Sequence, residues 1–413
     1  MNNHTSIPDH VIETAFFLLN KWEDTPNFDL ILNQHRAETN DEITDMAAHL
    51  CRNIFRYRDK IDWLISKCSA KPPRGRIRKL LRIPIAQLVF DDQLPDALIC
   101  DTAVRYCKKR FNKFDAGYVN KVLRTVIDKK DLKASENIEL NLSPEIIKQW
   151  KKHFSKETIH EWSELFTKPV SMTARLKLKA KILDEDLSAM VEELAFSEIK
   201  SDWKYFKVLK PKEFLRSHKY QFYIQDPAPS MSLSFLEPKP GETIGDLCAA
   251  PGGKSLLIAE KMQNKGELYS CDLSSKRLKT IEENLRGFSF VKIEVGDATK
   301  PKFKDAFFDG ILLDVPCSNT GVMRRKADVR WSFSQKKLQK IIEIQKSILE
   351  ASARLVKKGG RIIYSTCSID PEENEGVVTD FLKKYPEFSV TKQNTLYPCE
   401  EHDGAFAACL VKG

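Results

Sequence analysis

The sequence is short of most features that would take it outside the ordinary globular enzymes. Its ten cysteines (51, 68, 100, 107, 248, 271, 317, 367, 399 and 409) form no CxxC pair and no cluster with histidine. That excludes the usual zinc sites and a disulfide framework. The cysteines are expected to remain thiols in a reducing compartment, the cytoplasm, most of them as small buried hydrophobes like Cys100 and Cys107. No apolar run approaches the roughly 20 residues that span a bilayer, and Met1–Pro8 has no basic stretch followed by an apolar one; neither a membrane span nor a leader is expected. From Asp226 onward His402 is the only histidine, which leaves cysteine-protease chemistry without its base. A Walker GxxxxGK[ST] and a GxGxxG are both missing, which disfavours NTP and NAD as ligands. Internal repeats and low-complexity tracts are absent too.

What is present is long, charged and unevenly so. A chain of 413 residues exceeds what one hydrophobic core usually organises, so two or three domains are expected. The formal net charge is +9. Residues 1–50 are net −7, whereas residues 51–140 are net +10. Lys67–Arg82 holds seven basic residues and no acid, a pattern expected of phosphate neutralisation and equally of a solvated helix face.

Residues 7–130 read as helices: His10–Leu19, Met46–Phe55, Leu80–Phe90 and Ala97–Lys108 are apolar at helical spacing, with Asp96 as a candidate cap. A mixed α/β segment follows over roughly 140–222. Leu142-Ser143-Pro144-Glu145 opens a helix, and alternating Arg175–Ala180 predicts a half-buried strand. From about Glu237 the rhythm becomes strand, Gly-rich turn, helix. Seven strands are expected, at Thr243–Leu247, Glu267–Cys271, Phe290–Val295, Phe308–Leu313, Arg361–Ser365, Phe388–Lys392 and Phe406–Val411. Intervening helices at Lys254–Met262, Ser275–Leu285 and Lys337–Leu355 make this a doubly wound parallel sheet, seven-stranded and Rossmann-like. The domains are expected at 1–135 (helical), 136–222 (small α/β) and 223–413 (sheet).

The turn after the first strand, Asp246-Leu-Cys248-Ala249-Ala250-Pro251-Gly252-Gly253-Lys254, lets backbone approach a ligand closely. Asp272 ends the next strand, where a carboxylate can accept both ribose hydroxyls, and Asp297 ends the third, over the expected adenine position. Three successive strand tips bearing acids point to a nucleoside cofactor; with NTP and NAD disfavoured, that leaves S-adenosylmethionine. The fourth strand ends Asp314-Val-Pro-Cys317-Ser318 and the fifth Ser365-Thr-Cys367-Ser368. Two thiols on one functional rim suit a particular reaction. Carbon 5 of cytosine is too weak a nucleophile for a sulfonium methyl until a thiolate adds at carbon 6. Asp314 is the candidate to stabilise the adduct through the exocyclic amine or ring nitrogen, and Lys254 to hold Asp314 ionised and lower a thiol pKa. The base must be unstacked to be reached. This chemistry accepts either Cys317 or Cys367 as nucleophile. The run from Val322-Met-Arg-Arg-Lys326 to Val329-Arg-Trp331 reads as a basic loop able to grip phosphates and stack a base, or as a solvated loop with Trp331 as packing anchor.

These motifs, with Gln225-Asp226, Arg324-Arg325, Pro371-Glu372-Glu373-Asn374 and Asp403-Gly404-Ala-Phe406, resemble the Sun/Fmu branch of bacterial 16S ribosomal RNA 5-methylcytosine methyltransferases. Gly117-Tyr-Val-Asn120-Lys-Val-Leu-Arg124 resembles the last helix of a NusB-like RNA-binding domain, so the likeness extends over essentially the whole chain. The resemblance implies a NusB-like helical domain, a small RNA-docking α/β domain and a methyltransferase domain. It also implies Cys367 as nucleophile, Cys317 as the residue assisting release, and cofactor contacts from Cys248–Lys254, Asp272, Asp297 and Asp314. DNA cytosine methyltransferases differ, their nucleophile lying in the Pro-Cys motif that holds Cys317. The chain departs from the family at Arg175-Leu-Lys177, where relatives have Arg-hydrophobic-Asn, and at Pro229. The implied partner is RNA, foremost 16S ribosomal RNA, with neither DNA nor membrane and a monomeric state expected. Two alternatives are the same chemistry on transfer RNA and a noncatalytic ribosome-assembly factor.

Overall fold

The computed structural model describes residues 6–413 except 37, 40, 72, 74, 92, 130, 132–139, 178–184, 197–198, 200 and 218–220. The chain forms two compact units, Met1–Pro169 with Met323–Phe333, and Val170–Val322 with Ser334–Gly413. The expected boundary at residue 135 lies outside the described residues. The segment expected as a middle domain is shared, its helices at Pro144–Trp150 and Lys156–Thr167 belonging to the first unit and its small sheet, with the helices at Glu185–Ser188 and Pro211–Ser217, to the second.

The first unit is helical: α1 (Ile7–Asp24), α2 (Phe28–Arg36), α3 (Asp41–Arg56), α4 (Arg58–Lys67), α5 (Gly75–Phe90), α6 (Asp96–Arg110), α7 (Lys113–Lys129), α8 (Pro144–Trp150) and α9 (Lys156–Thr167). On α1 the buried residues Val11, Ile12, Ala15, Phe16, Leu18, Leu19 and Trp22 form one apolar stripe at helical spacing. Trp22 and Phe28 close on Phe55 of α3, with ring centroids 4.7 and 5.3 Å away. Cys100 and Cys107 are buried in this core, as expected of small hydrophobes. Ser143 caps α8 by accepting from the Ile146 amide, with Pro144 at the first helical position. Asp96 is the first residue of α6, and Pro95 holds the cap position in its place. The basic cluster divides. Lys79 and Arg82 are buried and engaged with Glu23 (2.5 Å) and bidentately with Asp62 (2.7 and 2.8 Å), whereas Lys67, Lys71 and Arg76 face solvent. Arginine and lysine this buried need a carboxylate partner, so those two hold the fold together and are not presented to phosphates.

The second unit holds two sheets. β1 (Thr173–Leu176), β2 (Val191–Leu194), β3 (Tyr205–Val208) and β4 (Phe222–Ile224) form a small antiparallel sheet in the order β2-β3-β1-β4. The strand expected over Arg175–Ala180 therefore begins at Thr173; Leu178–Ala180 lie outside the described residues. All seven strands of the larger sheet lie where the sequence places them. They are β5 (Thr243–Asp246), β6 (Glu267–Asp272), β7 (Val291–Val295), β8 (Phe308–Asp314), β9 (Val356–Thr366), β10 (Phe388–Leu396) and β11 (Ala405–Lys412), in the order β10-β11-β9-β8-β5-β6-β7. Helices α10 (Glu185–Ser188), α11 (Pro211–Ser217) and α12 (Pro229–Leu236) come before β5, and α15 (Val329–Ser332) belongs to the first unit. Between the strands of the larger sheet run α13 (Gly253–Met262), α14 (Ser275–Asn284), α16 (Gln335–Ala353) and α17 (Glu375–Lys384). β5 to β9 are parallel, as helix-length crossovers require. The short connection after β10 instead makes an antiparallel hairpin whose second strand, β11, inserts beside β9, so the sheet is mixed where a parallel one was expected. Because β5, β6, β8 and β9 run the same way, their C-terminal tips share one rim, with Asp314 paired in register to Ser365.

Candidate active site

Five parallel strand tips, those of β5 to β9, supply the site, beginning with the Gly-rich turn between β5 and α13. Gly252 caps α13 at φ +100°, a left-handed conformation that favours glycine, and a Cβ there would meet the Ile281 backbone at 3.2 Å. The Ala249 amide donates to the Cys271 carbonyl (2.9 Å) and the Ala250 amide to Asp272 Oδ2 (3.2 Å). Asp272 Oδ1 accepts from the Ser274 amide (2.9 Å) and pairs with Arg277 (2.8 Å). Three of the roughly four acceptor sites of this carboxylate are thus used inside the protein. A bidentate grip on a ribose needs the half-exposed Arg277 to swing aside. Asp297, after β7, is exposed, and its carboxylate is held below the usual range by the Thr299 hydroxyl and amide.

Beside these acids stand two residues that the sequence reading passed over. Leu273 and Val295 are 69% and 58% exposed, and Leu273 follows the acid paired in register with Val295. Exposed aliphatic groups at adjoining strand tips form an apolar wall suited to a flat base. The signal available in the sequence was an apolar residue directly after a strand-ending aspartate.

Two of the three carboxylates around the turn are paired with cations, Asp272 with Arg277 and Asp314 with Lys254. Burial pushes the third, the Asp246 carboxyl, up to about 7, while the Ser255 hydroxyl from which it accepts (2.6 Å) pulls it down. Burial also pushes the Cys248 thiol up, with Asp246, Asp314 and Asp272 adding to the effect and Arg277 opposing it.

At the next tips, Lys254 Nζ lies 2.5 Å from Asp314 Oδ1 and donates to Ser365 Oγ at 3.2 Å, tying α13 to β8 and β9. The Cys317 and Cys367 sulfurs are 3.1 Å apart. Cys367 also donates to Asn319 Oδ1 at 3.3 Å. The Cys317 thiol is pushed well above its ordinary pKa, first by its hydrogen bond to Cys367, then by burial, with Glu373 contributing. The expectation that Lys254 lowers a thiol pKa therefore does not hold for Cys317, whose neighbours favour the protonated form. Behind the thiols lies a buried polar layer of Thr320, Gln345, Ser368, Asp370, Glu373 and Asn374, joined by the half-buried Ser318. Burial pushes the Glu373 carboxyl up to about 7 against the pull of the Ser318 and Ser368 hydroxyls.

The loop expected to grip RNA is largely used elsewhere. Met323–Phe333 belongs to the helical unit. Arg330 is fully buried and donates to the Arg56 carbonyl (3.0 Å) and to that of Phe166. Arg324 donates to the Pro169 carbonyl at 3.0 Å and Trp331 Nε1 to that of Phe55 at 2.7 Å. Asp328 accepts from Trp22 Nε1 (3.2 Å) and the Phe28 amide (3.1 Å). Trp331 is thus the packing anchor, and Arg325 is the exposed cation of the run. A charged, aromatic-bearing segment reads alike in sequence whether its groups face water or main-chain carbonyls.

The chain matches the family model described as 16S rRNA methyltransferase RsmB/F over residues 233–409 and the NusB family model over residues 12–128. It is 32% identical over 373 residues to a probable ribosomal RNA small subunit methyltransferase B of Bacillus subtilis, covering 85% of this chain and 82% of that one. With ribosomal RNA small subunit methyltransferase B of Yersinia pseudotuberculosis it shares 28% over 406 residues, 92% of this chain and 94% of the relative. Among solved structures, the crystal structure of PH0851 has a similar fold, with a TM-score of 0.76, 24% identity and 98% and 99% coverage of the two chains. NSun6 from Pyrococcus horikoshii with SFG gives a TM-score of 0.55 at 23% identity, over 65% of this chain and 98% of that one.

Proposed function

The chain belongs to the ribosomal RNA small subunit methyltransferase B family, and we propose that it methylates carbon 5 of one cytosine in 16S ribosomal RNA through a covalent adduct with Cys367. The family uses S-adenosylmethionine, which supplies the methyl group. The residues at the rim fit it: exposed aliphatic groups at Leu273 and Val295 suit a flat base, and Asp272 ends the adjoining strand where a ribose can be gripped once Arg277 swings aside. Cys248–Lys254, Asp272, Asp297 and Asp314 are the residues proposed to hold it.

The observation that carries the reading is the 3.1 Å approach of Cys317 and Cys367 beside the Lys254–Asp314 pair. In the proposed reaction Cys367 gives its proton to solvent and its sulfur forms a bond to carbon 6 of the flipped cytosine. Electron density moves onto carbon 5, and Asp314, anchored by Lys254, hydrogen-bonds the ring nitrogen or exocyclic amine of the adduct. After carbon 5 takes the methyl group, with S-adenosylhomocysteine left behind, its proton passes to solvent, the C–H electron pair restores the ring double bond, and the carbon 6–sulfur bond breaks, returning its electron pair to Cys367. Cys317 assists this release. The hydrogen bond shared by the two thiols lets one keep its proton while the other ionises, as this division requires. Once Cys367 is bonded to the base, its hydrogen bond no longer holds the Cys317 proton, and Cys317 is freed for the second half of the cycle.

Bisulfite sequencing of ribosomal and transfer RNA from cells with and without the gene tests the assignment. One 16S cytosine that becomes convertible on deletion is expected. Loss of protection in transfer RNA alone would move the substrate, and no change in either would remove the activity.

A further inference from the structure

Glu373 and Asn374 follow β9 by a few residues, are fully buried, and take no part in the reaction as written above. Their side chains do parallel things to the two thiols. Glu373 Oε1 accepts from the Ser318 amide (2.8 Å) and from Gln345 Nε2 (3.0 Å), and Oε2 accepts from the Ser318 hydroxyl. The same Gln345 Nε2 donates to the Pro316 carbonyl at 2.9 Å. The carboxylate therefore holds Ser318 directly and Pro316 through Gln345, the residues on both sides of Cys317. Asn374 Oδ1 accepts from the Thr366 hydroxyl (2.6 Å), and Asn374 Nδ2 donates to the Ser368 carbonyl (3.0 Å), so one carboxamide fixes the residues on both sides of Cys367. The two clamps are adjacent in the chain. The Glu373 carbonyl accepts the Tyr364 hydroxyl (2.6 Å), which fastens the pair to β9. A buried carboxylate and a buried carboxamide with several good partners each are rigid anchors.

We propose that Glu373 and Asn374 are positioning residues that set the two thiols separately, Glu373 acting through Cys317 on release of the methylated base and Asn374 acting through Cys367 on its attack. The inference rests on the thiol roles assigned above. Changing Glu373 to alanine removes both acceptor atoms, so the Ser318 amide and Gln345 Nε2 lose their shared partner. Cys317 then loses its fixed place, whereas Cys367 loses only the Glu373 contact to the Ser368 hydroxyl and keeps the Thr366 hydroxyl and Ser368 carbonyl held by Asn374. Changing Asn374 to alanine frees the Cys367 flanks instead.

The test is single-turnover methylation of 16S transcript by the full chain, with the protein–RNA adduct followed on a denaturing gel. Glu373→Ala should form adduct at close to the wild-type rate and resolve it between roughly tenfold and a hundredfold more slowly, the scale of an ångström-sized misplacement. Asn374→Ala should slow adduct formation by a similar factor and accumulate none. A merely structural role would slow both phases together in both variants, and that pattern overturns the inference. Cys317→Ala run alongside separates the two levels. If it accumulates adduct and Glu373→Ala does not, the inference fails and the thiol roles stand. If Cys317→Ala accumulates none, the thiol roles fail and take the inference with them. Calorimetric binding of S-adenosylmethionine reports folding, and Ser318→Ala, which removes one donor from the clamp, carries the same expectation should Glu373→Ala not fold. A folded Ser318→Ala with wild-type adduct lifetime then overturns the inference.

Discussion

Gly321 is the point where the loop carrying Cys317 touches the strand end carrying Cys367. Its amide donates to the Cys367 carbonyl at 3.0 Å, and its carbonyl accepts from the Gly404 amide at 2.8 Å. A Cβ at this position would lie 2.6 Å from the Gly404 carbonyl oxygen and 2.9 Å from that of Cys367. Both fall roughly 0.5–1 Å inside the optimum contact distance of about 3.5 Å. Both obstacles are main chain in a hydrogen-bonded layer, so no rotamer change relieves them. Gly321→Ala is therefore expected near the top of the overpacking range, about 3 kcal/mol, or roughly 6–12 °C in the melting of the second unit. The loop must shift away from Cys367 to admit the methyl, and the rate of methylation should fall on the order of a hundredfold. Differential scanning calorimetry of the apoprotein and methyl incorporation into a 16S transcript measure the two effects. Gly117→Ala on α7 is the control, since nothing lies within 4 Å of its Cβ position. It should stabilise the helical unit by roughly 0.5–1 kcal/mol. A Gly321→Ala protein that melts and turns over like the wild type would refute this packing argument.

Three further outcomes are expected. Asp246 is raised in the fold to about 7 from an ordinary 3.8, so the native state binds its proton more tightly than the unfolded one. Its burial costs nothing below pH 4, and stability is lost as pH rises from about 4 to about 7, at up to about 1.4 kcal/mol per pH unit. Asp246→Asn should accordingly gain stability over wild type across that window and hold a constant lead above it; urea titrations at pH 4, 6 and 8 measure this. Trp331→Phe removes the bond to the Phe55 carbonyl and should destabilise the helical unit by roughly 1–3 kcal/mol. Unchanged stability with weakened RNA binding would restore Trp331 as a stacking residue. Lys79→Met strips the buried partner from Glu23 and Asn20 and should also lower the melting temperature of that unit, whereas the exposed Lys67→Met should leave it unchanged. Equal effects on stability would contradict the division of the basic cluster.

The sequence carried the sheet well because its strands are short apolar runs separated by helices of crossover length, a pattern with few alternative topologies. Strand tips then follow from direction alone, which is why Asp246, Asp272, Asp314, Cys317 and Cys367 could be assigned to one rim before any coordinates. The hairpin strand β11 was harder, since nothing local in Ala405–Lys412 distinguishes pairing beside β9 from addition at the sheet edge. Charge was the least legible property. Lys79, Arg82, Arg324 and Arg330 look like solvent-facing cations in sequence, and each is buried against a carboxylate or a main-chain carbonyl. Whether a basic side chain meets water or the interior depends on neighbours brought together from distant segments, as Arg330 is with Arg56 and Phe166. The polar layer under the thiols was hidden for the same reason: Gln345 lies on α16, far along the chain from the Pro316 and Glu373 that it joins.

The central claim is that Cys367 bonds the cytosine and Cys317 lets it go. Mass-spectrometric mapping of the RNA-linked peptide from a Cys317→Ala protein incubated with 16S transcript and S-adenosylmethionine tests it directly. The account predicts a methylated cytosine joined to the sulfur of Cys367. A linkage at any other residue, or an active Cys367→Ala protein in the same assay, would contradict it.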